Sequence, residues 1–149
     1  MTSQNSKRKG FTIIELLIVI IIIGILALIG VVAYGNVQQS ARNSKRQSDV
    51  SSLHTAIEAY AVQNNNQYPS LTQINDSTFR TASLKGVPDE TFKDPKAANS
   101  TMAGARTVNV YAYAATPANC DNTTTTCTGY TLIAVPEGGG TDITKGSIN

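Results

Sequence analysis

From Phe11 to Tyr34 the chain carries a single charged residue, Glu15; nearly everything else is Ile, Leu, Val, Ala or Gly. As a helix this run is roughly 36 Å long at ~1.5 Å per residue, enough to cross a bilayer core of ~30 Å. Lys7, Arg8 and Lys9 stand directly before it, and cations at that place mark the end that stays in the cytoplasm. Arg42, Lys45 and Arg46 follow on the far side. The count of cations alone therefore does not settle the orientation.

Glu15 is the residue that a simple anchor does not need. A carboxylate in an apolar helix is costly, less so near an end. Two readings stand. In one, the acid is favoured by the positive end of the helix dipole and snorkels to the interface. In the other, it meets a cation. A free amine at Phe11 lies about 6 Å up the same helix, awkward within one helix and easier between two helices staggered along their axes.

Lys9-Gly10-Phe11-Thr12-Ile13-Ile14-Glu15-Leu16 resembles the N-terminal signal of type IV prepilins and type II secretion pseudopilins. The resemblance implies that a prepilin peptidase cuts after Gly10 and that the new N-terminal Phe11 is N-methylated. It makes Glu15 the assembly residue, meeting the Phe11 amine of a neighbouring subunit. It also implies a cytoplasmic assembly ATPase and an inner-membrane platform protein as partners, and an N-terminus that faces the cytoplasm. A conventional secretory signal has a shorter apolar stretch and no place for Glu15.

The leader changes the meaning of the composition. The 149 residues hold 12 Lys and Arg against 10 Asp and Glu, a formal charge of +2. Without Lys7, Arg8 and Lys9 the balance is about −1, so the basicity is a targeting feature rather than a nucleic-acid signal. Cys120 and Cys127 lie in a part of the chain outside the membrane, which suggests a disulfide; two free thiols are the alternative. No His or further Cys accompanies them as a zinc site requires.

Beyond Tyr34 the pattern becomes amphipathic, with Val37, Ala41, Val50, Leu53, Ala56, Ile57 and Tyr60 at helical spacing. Arg42, Lys45, Arg46 and Asp49 are expected on the opposite, solvated side, with His54 alone among them. Asn64-Asn65-Asn66 ends the helix, since Asn tolerates the left-handed conformation of a C-cap and Pro69 follows. Asn66-Gln67-Tyr68-Pro69 partly matches the N-G-x-Y-P segment that follows the long helix in the same family; Asn stands before Gln-Tyr-Pro where the family has Gly.

Residues 70–105 read as a loop lying over a sheet, with a short helix at Ser70–Asn75. Asp89, Glu90 and Asp94 gather carboxylates without the spacing of a calcium loop. Some secretion pseudopilins bind calcium near the C-terminus, so the resemblance keeps a metal in view. Thr107–Ala115 alternates as a strand, with Val108, Val110, Ala112 and Ala114 on one face and Tyr111 and Tyr113 on the other. Thr128–Val135 is a second strand, and Asp142–Thr144 marks a short edge strand or a mobile tail. Between the two strands, Asn122-Thr123-Thr124 fits an N-glycosylation sequon in a tract of hydroxyls, Thr123–Thr126. The apolar face of such a sheet must be covered, and the amphipathic half of the helix is the only cover the sequence offers.

The fold class is therefore α+β: a long N-terminal helix on a small antiparallel sheet head. The expected parts are a leader (residues 1–10), a transmembrane or filament-core helix (11–34) and its amphipathic continuation (35–64). A connecting region (65–106) and a sheet with disulfide loop and polar tail (107–149) follow. No catalytic constellation, cofactor loop or metal-ligand spacing appears, so an enzyme is not expected. The expected function is a structural subunit that packs with copies of itself into a type IV pilus, after a stage as a single-pass protein in membrane lipid. A type II secretion pseudopilin, or a competence pilin binding DNA through Arg42, Lys45, Arg46 and exposed tyrosines, are the alternatives.

Overall fold

A computed structural model of the chain describes residues 10–148. The leader cations Lys7, Arg8 and Lys9 lie outside the described residues. The chain divides into two compact units between Gln38 and Gln39, and helix α1 (Ile13–Gln63) supplies residues to both.

In the first unit α1 begins at Thr12-Ile13. Every large apolar side chain from Phe11 to Ile29 is at least half exposed, from 50% at Leu17 to 90% at Phe11. Gly24 and Gly30 face open space. The helix is long and apolar enough to cross a membrane.

In the second unit the amphipathic stretch of α1 covers a three-stranded antiparallel meander. The strands are β1 (Ala112–Thr116), β2 (Gly129–Ala134) and β3 (Ile143–Gly146), in that order. Register is set by pairs such as Tyr113 with Leu132 and Ile133 with Thr144. Val50, Leu53, Ile57 and Ala61, spaced three and four apart on one face of α1, join Tyr111, Tyr113, Tyr130, Leu132 and Ala134 in one core. Tyr113 and Tyr130 stack with ring centroids 5.4 Å apart, and Tyr68 meets Tyr130 at 5.1 Å.

α1 stops where the asparagines stand. Asn65 and Asn66 have φ of 54° and 60°, and the Asn66 N–H donates to the carbonyl of Ala61 at 2.9 Å, closing the last turn. The short helix expected after Pro69 is α2 (Leu71–Asn75), capped reciprocally by Ser70 and Gln73. Two elements go beyond the expected loop: α3 (Ser77–Ser83), capped by Asp76, and a 3₁₀ turn at Asp89–Phe92.

The first strand differs from its reading. Asn109, at φ 59°, turns the chain and lets Thr107 bridge Val110, so the ladder begins only at Ala112. The faces differ as well. Val108 is 60% exposed, whereas Tyr111 and Tyr113 are buried. Their hydroxyls find partners inside: Tyr111 donates to Asp49 at 2.8 Å and Tyr113 to the carbonyl of Pro69 at 2.6 Å. A phenol whose oxygen is satisfied is a large apolar payload, and it displaces Val from the inner face.

Candidate functional site

The first site is the start of α1. Gly10 and Phe11 precede the helix and are exposed; Glu15 occupies its first turn. Thr12 and Glu15 cap the helix reciprocally. The Glu15 carboxylate accepts the Thr12 N–H at 2.8 Å and the Thr12 hydroxyl at 2.9 Å, while the Glu15 N–H donates back to Thr12 Oγ1 at 3.3 Å. Both partners satisfy backbone donors that a helix start leaves unpaired. Sequence reasoning missed the role of Thr12, although Thr-x-x-Glu ahead of an apolar run is the signature of such a cap. Chemically the acid has a local partner on its own chain, and Phe11 is the residue immediately before that partner.

The basic face of α1, the second candidate, is not the solvated face that the sequence suggests. Arg46 is fully buried, not solvated. Its guanidinium grips Asp94 at 2.6 and 2.9 Å, with both side chains at 0–1% exposure. Arg42 pairs with Glu137, and Lys45 with Asp49. The buried stripe of α1 does not end at Val50. It continues through Asp49, Arg46, Asn43, Arg42 and Gln39 at spacings of three and four, changing from apolar to ionic. Hydrophobicity alone placed these residues outside because their partners, Asp94 and Glu137, are 48 and 95 residues away.

Glu137 ties the tail to that stripe. Its carboxylate accepts Arg42 at 2.7 and 2.8 Å, Arg46 at 2.9 Å and Lys96 at 2.8 Å. Its carbonyl accepts Gln39 and Asn43, and its N–H donates to Asn43 Oδ1 at 2.9 Å. Hydrogen bonding from Arg42 first, then from Lys96 and Arg46, holds the carboxyl well below the usual range. Gly138 follows in the left-handed region at φ 79°, which strains any side chain, and a Cβ there would push the Gln39 amide aside.

Most of the expected DNA face is engaged elsewhere, although Tyr34 is exposed. Its central arginine is inside, its neighbours are in ion pairs, and Tyr111, Tyr113 and Tyr130 are core residues. Two of the three carboxylates read near position 90 are committed as well. Asp94 belongs to Arg46, and Asp89 to Arg80, whose guanidinium also lies 4.8 Å over the Phe92 ring. His54 is not alone: its Nδ1 is 2.7 Å from the Tyr130 hydroxyl. Tyr130 and Tyr68 both donate to Glu58.

Cys120 and Cys127 form a disulfide, with Cα atoms 5.2 Å apart. Asn122, inside that ring, does not offer its amide to a glycan. Its Nδ2 donates to the carbonyl of Tyr68 at 2.7 Å and to Gln73 at 3.0 Å, and its Oδ1 accepts the Cys127 N–H at 2.7 Å. The loop is thereby fastened to the turn that ends α1.

The family described as the prokaryotic N-terminal methylation motif matches residues 5–31. The chain is 37% identical over 67 residues to a type II secretion system core protein G of Pectobacterium carotovorum, covering 45% of this chain and 42% of that protein. It is 33% identical over 80 residues to the core protein G of Escherichia coli, covering 54% of each. It is 47% identical over 55 residues to the type IV major fimbrial protein FimA of Dichelobacter nodosus, covering 37% and 35%. The chain thus spans about half, or less, of the curated relatives it matches. No solved structure matches it. Over its N-terminal part the chain carries the methylation motif and is similar both to type II secretion core proteins G and to type IV fimbrial proteins.

Proposed function

We propose that this chain is a structural, non-enzymatic subunit of a type IV pilus. Prepilin peptidase cuts it between Gly10 and Phe11, and the Phe11 amine is methylated. It waits in the cytoplasmic membrane with its N-terminus inside, and is then drawn by the assembly ATPase and platform protein into an extracellular filament of identical copies. Glu15 of each copy meets the Phe11 amine of a neighbour.

One observation carries this reading. From Phe11 to Ile29 the helix offers a wholly uncovered apolar surface that bears one acid, and that acid sits on the first turn. Leaving so much apolar area in water is untenable at roughly 25 cal/mol per Å². Lipid covers it before assembly and copies of the same helix cover it afterwards. Mass spectrometry of filaments sheared from cells tests the proposal. The expected N-terminus is methylated Phe11, in the most abundant band. A chain that keeps residues 1–10, or one absent from the filaments, sinks it.

The relatives named as type II secretion core protein G favour a second reading, a secretion pseudopilin processed at the same bond. Deleting the gene separates the two. Loss of surface filaments supports the pilus; loss of secreted proteins with filaments intact supports the secretion system.

A further inference from the structure

The family resemblance brings calcium into consideration near the C-terminus, and the carboxylates of that region do not fit it. Calcium takes six to eight oxygens, several of them from carboxylates with free lone pairs. Here each Glu137 carboxylate oxygen already accepts two donors: Oε1 from Arg42 and Arg46, Oε2 from Arg42 and Lys96. The Glu137 carbonyl is doubly occupied by Gln39 and Asn43. Asp94 is held by both arms of Arg46 and by the Lys96 N–H. Asp142 is held by a two-armed pair with Arg106, and Asp49 by Lys45 and Tyr111. Around Glu137 and Asp94 stand three cations for two carboxylates, a balance that repels a divalent ion. Among the described residues no group of three His, Cys, Asp or Glu side chains gathers as ligands.

We infer that the C-terminal segment is clamped to α1 by a metal-free ionic node, Glu137 with Arg42, Arg46 and Lys96, and that no divalent cation shares in holding it. The node does what a bound cation does elsewhere: it neutralises an acid on the tail while fixing the tail to the helix. Arg42 and Arg46 suit the role because a guanidinium grips a carboxylate with two parallel donors and stays charged at every accessible pH. The Gly138 turn completes the clamp by letting the backbone pass under Gln39.

The test is thermal unfolding of the full chain in detergent micelles, followed by circular dichroism, in millimolar calcium chloride and in excess EDTA. The expected midpoints agree. Glu137→Gln keeps the shape and removes the charge; its midpoint falls by roughly 5–10 °C in both buffers. The milder Arg42→Gln lowers it by less. Hydrogen exchange in both variants shows faster exchange of the Glu137 amide, which Asn43 protects. A wild-type midpoint that drops in EDTA and returns with calcium overturns the inference. So do variants whose midpoint and amide protection match wild type. Either result leaves filament assembly through Glu15 untouched, because the node and the apolar helix are separate features.

Discussion

The Glu15 carboxylate is bound by its own neighbour Thr12, through the backbone N–H at 2.8 Å and the hydroxyl at 2.9 Å. As an acceptor the acid caps α1, a task that needs an oxygen but no charge. The function proposed above asks a second, separable task of it: as an anion, to meet a cation. A capped carboxylate is also pre-oriented toward the helix start, the side from which a neighbour's Phe11 amine would approach in a staggered pair.

Glu15→Gln and Glu15→Ala should divide these tasks. Glutamine keeps an acceptor for Thr12 and loses the charge; alanine loses both. If the ion pair is what assembly uses, both variants are inserted and cleaved after Gly10, and neither yields filaments. Sheared filaments and the N-terminal sequence of the membrane-held protein are the readouts. Filaments from Glu15→Gln at wild-type yield would reduce the residue to a helix cap.

Arg46 and Asp94 form the most deeply buried ion pair among the described residues, and the single and double variants should behave oppositely. Removing Arg46 strands the Asp94 charge in the core, at about 3–5 kcal/mol, whereas removing Asp94 leaves Arg46 with Glu137 and costs less. Arg46→Met should therefore lower stability steeply, and Asp94→Asn less. Arg46→Met with Asp94→Leu restores an apolar contact and recovers most of the loss. Urea unfolding of a fragment beginning at Gln39, where the second unit starts, measures all three. Additive losses in the double variant would mean that the pair is not coupled.

The long helix, its asparagine stop and the second strand were legible, because each is written in local pattern: apolar spacing, left-handed Asn, a run of Thr, Tyr, Ile and Val. The short helix after Pro69 could be placed but its Ser70–Gln73 cap was not read, and the β3 edge stood beside a mobile tail as an alternative. The interior face of β1 was not legible, because Tyr111 and Tyr113 become core residues only through Asp49 and Pro69, far along the chain. The same holds for Arg46, whose buried place depends on Asp94 and Glu137. The apolar segment and its acid were readable at once. The ionic node was invisible, since Glu137 stands in a glycine-rich tail with no periodic neighbours.

The disulfide loop should stabilise the head chiefly by fixing Asn122. Closing a ring of about eight residues restricts the unfolded chain by roughly 2–3 kcal/mol. Asn122 adds three hydrogen bonds in the left-handed conformation, at φ 62°, that asparagine tolerates and alanine resists. Cys120→Ser with Cys127→Ser, and separately Asn122→Ala, should each cost about 2–3 kcal/mol in urea unfolding. The Tyr68 amide, which donates to the Cys127 carbonyl, should lose exchange protection in both. Unchanged protection would show that the loop is not what fastens the end of α1. In a glycosylating host Asn122 should stay unmodified.

Alkali should unfold the head before its core tyrosines ionise. Burial raises Tyr111, Tyr113 and Tyr130 far above the usual 10, with Asp49 adding to the shift at Tyr111 and Glu58 at Tyr130. A folded value above the unfolded one means stability is complete below pH 10 and lost as pH rises past it, because only the unfolded chain releases these protons. Each tyrosine contributes up to about 1.4 kcal/mol per pH unit, so three contribute about 4. Against a typical 5–15 kcal/mol, unfolding should fall roughly one to four units above pH 10. Phenolate absorbance and circular dichroism should then change together. Tyr130→Phe should make the pH dependence shallower by about a third. Core tyrosines that ionise near pH 10 with the fold intact would place them in contact with water, and the packing of β1 against α1 would have to be redrawn.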